Sequence, residues 1–95
     1  MWTVKIHSKV GKNLPNLPPA ILSLFEQLAR ALQANGPVAK DWPHYGKIRG
    51  QHKRDVHHCH LKRGRPTYVS VWWEVKDEGQ TIEVTYVGTH ENAPY

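Results

Sequence analysis

The chain has 95 residues, a formal net charge of +5 with its histidines neutral, and a single cysteine. That length fits one domain over 1–95, with only about 60–65 % of the unfolded surface buried. Cys59 has no internal disulfide partner, which accords with a reducing, cytoplasmic setting. No apolar run reaches the roughly 20 residues of a bilayer span, and the basic balance points to nucleic acid or an acidic protein partner rather than a membrane.

In chain order, Trp2, Val4 and Ile6 alternate with Thr3, Lys5 and His7, the signal of a half-buried strand. Residues 8–17 hold Gly11, Asn13, Pro15 and Asn16 and read as a turn region with a short helical turn around Leu14. Pro18–Pro19 opens a helix, because proline suits a first turn where its missing N–H has no intrahelical use. Ile21, Leu24, Phe25, Leu28 and Leu32 form its apolar stripe, and Gly36–Pro37 ends it. Residues 37–50 read as loop. Val56–Leu61 is a weak strand candidate, polar on both faces. Gly64–Arg65–Pro66 reads as a hairpin connection. Tyr68–Val75 is a strong strand with Val69, Val71, Trp73 and Val75 on one face. After the turn Asp77–Glu78–Gly79, Thr81–Val87 places Ile82, Val84 and Tyr86 on one face. The tail Gly88–Tyr95 is too short for another element. The expected fold is α+β: an antiparallel sheet, made of the N-terminal strand and a C-terminal three-stranded meander, packed against one long helix.

Charge and imidazole gather between Lys40 and Arg65. Eight of the 13 lysines and arginines lie there, with five of the seven histidines and only two acids, Asp41 and Asp55. Such a segment suits a phosphate-contacting surface, while its plainer reading is a solvated loop and a strand edge blunted by lysine. Trp42 and Tyr45 are candidates to stack on unpaired bases or to anchor the loop in the core. His57–His58–Cys59–His60 admits three readings: part of a zinc site, general acid–base chemistry, or a polar strand face with hydrogen-bonded imidazoles. Composition alone favours the last, since structural zinc usually takes four ligands at recurring spacings. His90, just past the last strand, stands where a rigid sheet can present a catalytic group, or where a terminus frays.

Taken together, these motifs resemble the RelE/ParE superfamily of bacterial toxins from toxin–antitoxin systems, closest to its RelE-, YafQ- and HigB-like ribonucleases. The resemblance rests on the helix ending in Gly36–Pro37, on Trp42–Pro43–His44–Tyr45–Gly46–Lys47 leading to Arg49–Gly50, and on Arg54–Asp55–Val56–His57 with His60–Leu61. Tyr68–Val69–Ser70–Val71–Trp72 and Val87–Gly88–Thr89–His90 complete it. It implies metal- and cofactor-independent cutting of messenger RNA on the ribosome, with the 2′-hydroxyl attacking the adjacent phosphate. By motif, His90 and His60 are the implied acid–base pair, Arg65 the phosphate ligand and Tyr95 the C-terminal aromatic, while Lys47, Arg49, Lys53, Arg54, Lys62 and Arg63 would hold RNA. The turn Lys62–Arg63–Gly64–Arg65 lacks the acid that YafQ-like members carry there. The implied partner is an antitoxin, itself a helix-turn-helix protein through which alone the pair would contact operator DNA. A gyrase-inhibiting toxin of the ParE kind and a small basic nucleic-acid-binding module are the alternatives.

Overall fold

The computed structural model describes residues 1–48 and 55–95. Five strands form one sheet in the order β1-β5-β4-β3-β2: β1 is Thr3–Ile6, β2 Gly46–Ile48, β3 Val56–Lys62, β4 Tyr68–Glu74 and β5 Thr81–Thr89. Two helices, α1 (Ser8–Asn13) and α2 (Pro19–Asn35), lie between β1 and β2. The α+β class is as expected. Among the described residues, no helix is long and apolar enough to cross a membrane.

The helix α2 follows its sequence signals. It spans Pro19–Asn35, with Pro18 before its first turn and Gly36, at φ +87°, ending it. Ile21, Phe25, Leu28 and Leu32 are buried, each contributing about 1.5–3 kcal/mol by leaving water. Gly36 is required twice over. Its positive φ disfavours a side chain, and a Cβ there would stand 2.9 Å from Trp2 Nε1. The Trp2 N–H donates to the Gln33 carbonyl at 2.9 Å, tying the start of β1 to the end of α2.

Other elements depart from expectation. Residues 8–13 form helix α1 rather than a turn, capped by His7 Nδ1, which accepts from the Lys9 N–H at 3.1 Å. A 3₁₀ turn follows over Leu14–Asn16. The chain around Gly46–Lys47 is strand β2 rather than loop, because it pairs antiparallel with His57 and His58 of β3. The sheet is not wholly antiparallel: β1 runs parallel to β5, Thr3 opposite Thr81 and Ile6 opposite Val84. Alternation fixes which side chains of a strand are buried, but it carries no information about its direction or its neighbour.

The core lies between α2 and one sheet face. It holds Cys59 and Leu61 of β3, Trp72 of β4, and Ile82, Val84 and Val87 of β5. β3 is therefore not polar on both faces; His57, Cys59 and Leu61 point inward. In β5 the register shifts opposite Val71 and Trp72, so that Tyr86 faces Val71 and Val84 faces Trp72. The extra residue, Thr85, breaks the two-residue period. Val87 rather than Tyr86 then joins Ile82 and Val84 in the core, and Tyr86 turns to the opposite face.

Candidate active site

The sheet face away from α2 carries the candidate chemistry. Alternation along β3 puts His58 and His60 there, opposite Val71 and Val69 of β4. Backbone bonds bring three further segments to them. The His60 N–H donates to the Pro43 carbonyl at 2.8 Å, holding the loop before β2. Thr67 Oγ1 accepts from the Gly64 N–H at 3.1 Å and donates to the Gly64 carbonyl at 3.0 Å, closing the β3–β4 hairpin. The His90 N–H donates to the Thr67 carbonyl at 2.8 Å, so the chain leaving β5 is tied to that hairpin. The tail then makes a 3₁₀ turn over His90–Asn92, an element the sequence reading did not anticipate.

Gly88 leaves room for a bond just before this turn. The Tyr86 hydroxyl donates to the Thr89 carbonyl at 2.6 Å, just before His90. A Cβ at position 88 would lie 2.7 Å from that hydroxyl, so a side chain there would push the hydroxyl off this bond.

The result is a cleft of about 870 Å³ between hairpin and tail, whose lining includes His60, Arg65, Thr67, His90 and Glu91. The rings of His60 and His90 meet edge to face with centroids 5.7 Å apart. Tyr95 borders them, 5.8 Å from His90 and 4.9 Å from His58. On the other side the His44 ring stacks on His60 at 4.2 Å with 23° between the planes. Burial, followed by the charges of His44, His90, His58 and Arg63, lowers the His60 pKa below that of an exposed imidazole. His58 is lowered likewise, first by burial and then by its histidine neighbours. Burial raises the Tyr95 hydroxyl, which suits it to stacking and to donating a hydrogen bond rather than to taking a proton.

On the core face, His57 is fully buried. Its Nε2–H donates to Asp55 Oδ2 at 3.0 Å, and its Nδ1 accepts from the Tyr45 hydroxyl at 2.7 Å. Lys47 Nζ pairs with Asp55 Oδ1 at 3.0 Å. This chain of contacts clamps the loop before β2 onto β3, and Trp42 and Tyr45 pack against the core. Burial raises the Asp55 carboxyl, but the bonds from Lys47 and His57 outweigh it and hold it below the usual carboxylate range. Burial holds His57 below 6.5 despite its carboxylate partner.

A pH dependence follows with a definite sign. The unfolded chain binds a proton at His57 more readily than the folded chain, so stability falls as pH drops below about 6.5, and falls further toward the folded-state value. His58 and His60 act in the same direction. The Asp55 contribution persists through this window, because its lowered pKa lies well beneath it. The thermal midpoint should therefore be lower at pH 5.5 than at pH 7.5; a constant or rising midpoint contradicts the assignment.

Comparison with known proteins follows the same lines. The chain is 31% identical over 71 residues to a Methanocaldococcus jannaschii protein named "Putative toxin RelE1", across 75% of this chain and 76% of that protein. The chain belongs to the RelE family of toxins. Its fold matches a chain of the crystal structure of an archaeal RelE–RelB complex from Pyrococcus horikoshii, with a TM-score of 0.74 over 97% of this chain and 98% of that one, at 21% identity. No family model matches the chain.

Within this RelE-family chain, the cleft brings together His60, Arg65 and His90, with Tyr95 at its border. Lys62 and Arg63 are exposed on the hairpin beside it. Lys47 is engaged with Asp55, while Arg49, Lys53 and Arg54 lie outside the described residues. Two further contributors were not singled out from the sequence. Glu91 puts a carboxylate in the cleft although the hairpin itself has none, and His44 covers His60. Neither signals itself by periodicity, since both occupy irregular backbone. Among the described residues no three His, Cys, Asp or Glu side chains are placed to hold a metal ion. Cys59 is buried, and its thiol is pushed up to about 12 by burial, so it stays protonated and belongs to the core.

Proposed function

We propose that this chain is the toxin of a toxin–antitoxin pair and that it cuts messenger RNA during translation. The observation that carries the reading is the single cleft shared by His60, Arg65 and His90. Cleavage within RNA needs a base for the 2′-hydroxyl, positive charge for the crowded phosphate, and an acid for the departing oxygen. His60, kept neutral by its surroundings, takes the 2′-hydroxyl proton as that oxygen bonds to phosphorus. Arg65 offers its planar guanidinium to the phosphate oxygens. His90 donates a proton to the 5′-oxygen as its bond to phosphorus breaks, which leaves a 2′,3′-cyclic phosphate and a 5′-hydroxyl. Tyr95 supplies an aromatic face for a neighbouring base.

Lys62 and Arg63 extend the positive surface for the RNA backbone. The same surface suits an antitoxin with an acidic or helical segment, whose association opposite charge would accelerate. That the related solved structure is a RelE–RelB complex supports a partner of this kind. The reading places the toxin where ribosomes are, in the cytoplasm.

The test adds purified protein to a translating extract. Fragments of the translated message ending in 2′,3′-cyclic phosphate are expected, with untranslated message spared and DNA gyrase supercoiling unchanged. Intact message together with inhibited gyrase would overturn the reading in favour of a ParE-like toxin.

A further inference from the structure

A histidine that moves protons usually has its second ring nitrogen held by a hydrogen bond, which fixes its tautomer and orientation. His60 lacks this support: its Nδ1 is buried and has no hydrogen-bond partner among the described residues. What lies against its ring is His44. His44 is held in an uncommon backbone conformation, φ +54°, which non-glycine residues adopt rarely, though asparagine, aspartate and histidine do so more readily than the rest. The loop is pinned on both sides of it. The Pro43 carbonyl accepts from the His60 N–H itself, and the Tyr45 hydroxyl is bonded to buried His57. Two anchors and a left-handed residue between them lay one imidazole flat on another.

We propose that His44 is a positioning residue for His60: its stacked ring takes the orienting role that a hydrogen bond to Nδ1 would otherwise have, and holds His60 ready to act as the base. The catalytic part rests on the nuclease reading above, while the structural part stands without it. The other groups facing His60 are His58 on its own strand, Arg63 and Arg65 from the hairpin, and His90 and Glu91 from the tail. All of these remain in the variants used for the test.

Two substitutions separate the ring from its proton. His44→Asn keeps a residue that tolerates positive φ and removes the ring, and His44→Phe keeps a flat ring without an ionisable group. Titration of the His60 ring protons by NMR requires no activity. In His44→Asn the His60 midpoint should rise toward that of an exposed imidazole, because a covering ring and a like charge are both gone; in His44→Phe it should stay low. In the cleavage assay His44→Asn should lose about tenfold in kcat with KM nearly unchanged, as expected for a misoriented catalytic group. Its acidic limb should move to higher pH, and His44→Phe should recover most of the rate. An unmoved His60 midpoint in His44→Asn, or a His44→Phe variant no better than His44→Asn, would overturn the proposal. If His60→Ala cleaves like the parent, the assignment of His60 as the base fails instead, and if the parent cleaves no message the nuclease reading itself fails; in either case the NMR titration still decides whether His44 positions His60.

Discussion

Replacing His90 or His60 by alanine is expected to lower cleavage of translated message by about 10²–10⁴-fold, the usual share of one positioned acid or base. Folding should survive both changes, because His90 is exposed and His60 only half-buried. The double variant should lose much less than the product of the single losses, since an acid and a base serving one proton-transfer sequence act as a unit. The control is His57→Ala on the same strand, which removes a fully buried ring bonded to both Asp55 and Tyr45 and should act through stability. Near-parental cleavage by His60→Ala and His90→Ala, with unchanged thermal midpoints, would show that the cleft is not the active site.

Trp72→Ala should be the most damaging single change to the fold. Trp72 is fully buried, its indole N–H donates to the Pro37 carbonyl at 2.9 Å, and its ring lies parallel to His57 at 6.0 Å. Truncating a buried tryptophan costs about 3–5 kcal/mol, and the stranded Pro37 carbonyl adds to that. Domains of this size have a total stability near the lower end of about 5–15 kcal/mol, so the variant should be largely unfolded at 37 °C. Trp72→Phe retains a ring and should lose clearly less. Trp73, one residue on and partly exposed, should tolerate alanine better. Urea midpoints order the three, and a Trp72→Ala variant as stable as Trp73→Ala would contradict the packing described here.

How much of this was legible in the sequence depends on how local each determinant is. The helix α2 was readable from end to end because its proline start, apolar stripe and Gly36 stop all lie within one short segment. β4 and most of β5 were readable for the same reason. The direction of β1, the pairing that turns Gly46–Ile48 into β2, and the bulge that exchanges Tyr86 for Val87 were not, because each is set by pairing with another strand rather than by the segment's own residues. The site shows the same division. His60, Arg65, His90 and Tyr95 were found through motifs, whereas His44 and Glu91 became apparent only once the loop before β2 and the tail were seen to converge. Among the histidines of the basic segment, His57 proved to be a core residue.

The strand order has a consequence for timing. β5 lies between β1 and β4, so the first strand made has no partner until the last is complete, and synthesis runs from the N-terminus. The contacts that close the sheet are among the most distant in sequence, which makes them late to form. His90 follows β5 directly, and its half of the cleft therefore arrives last. On the proposed nuclease reading, a ribosome producing this chain is thus spared a finished toxin while most of the chain is being made.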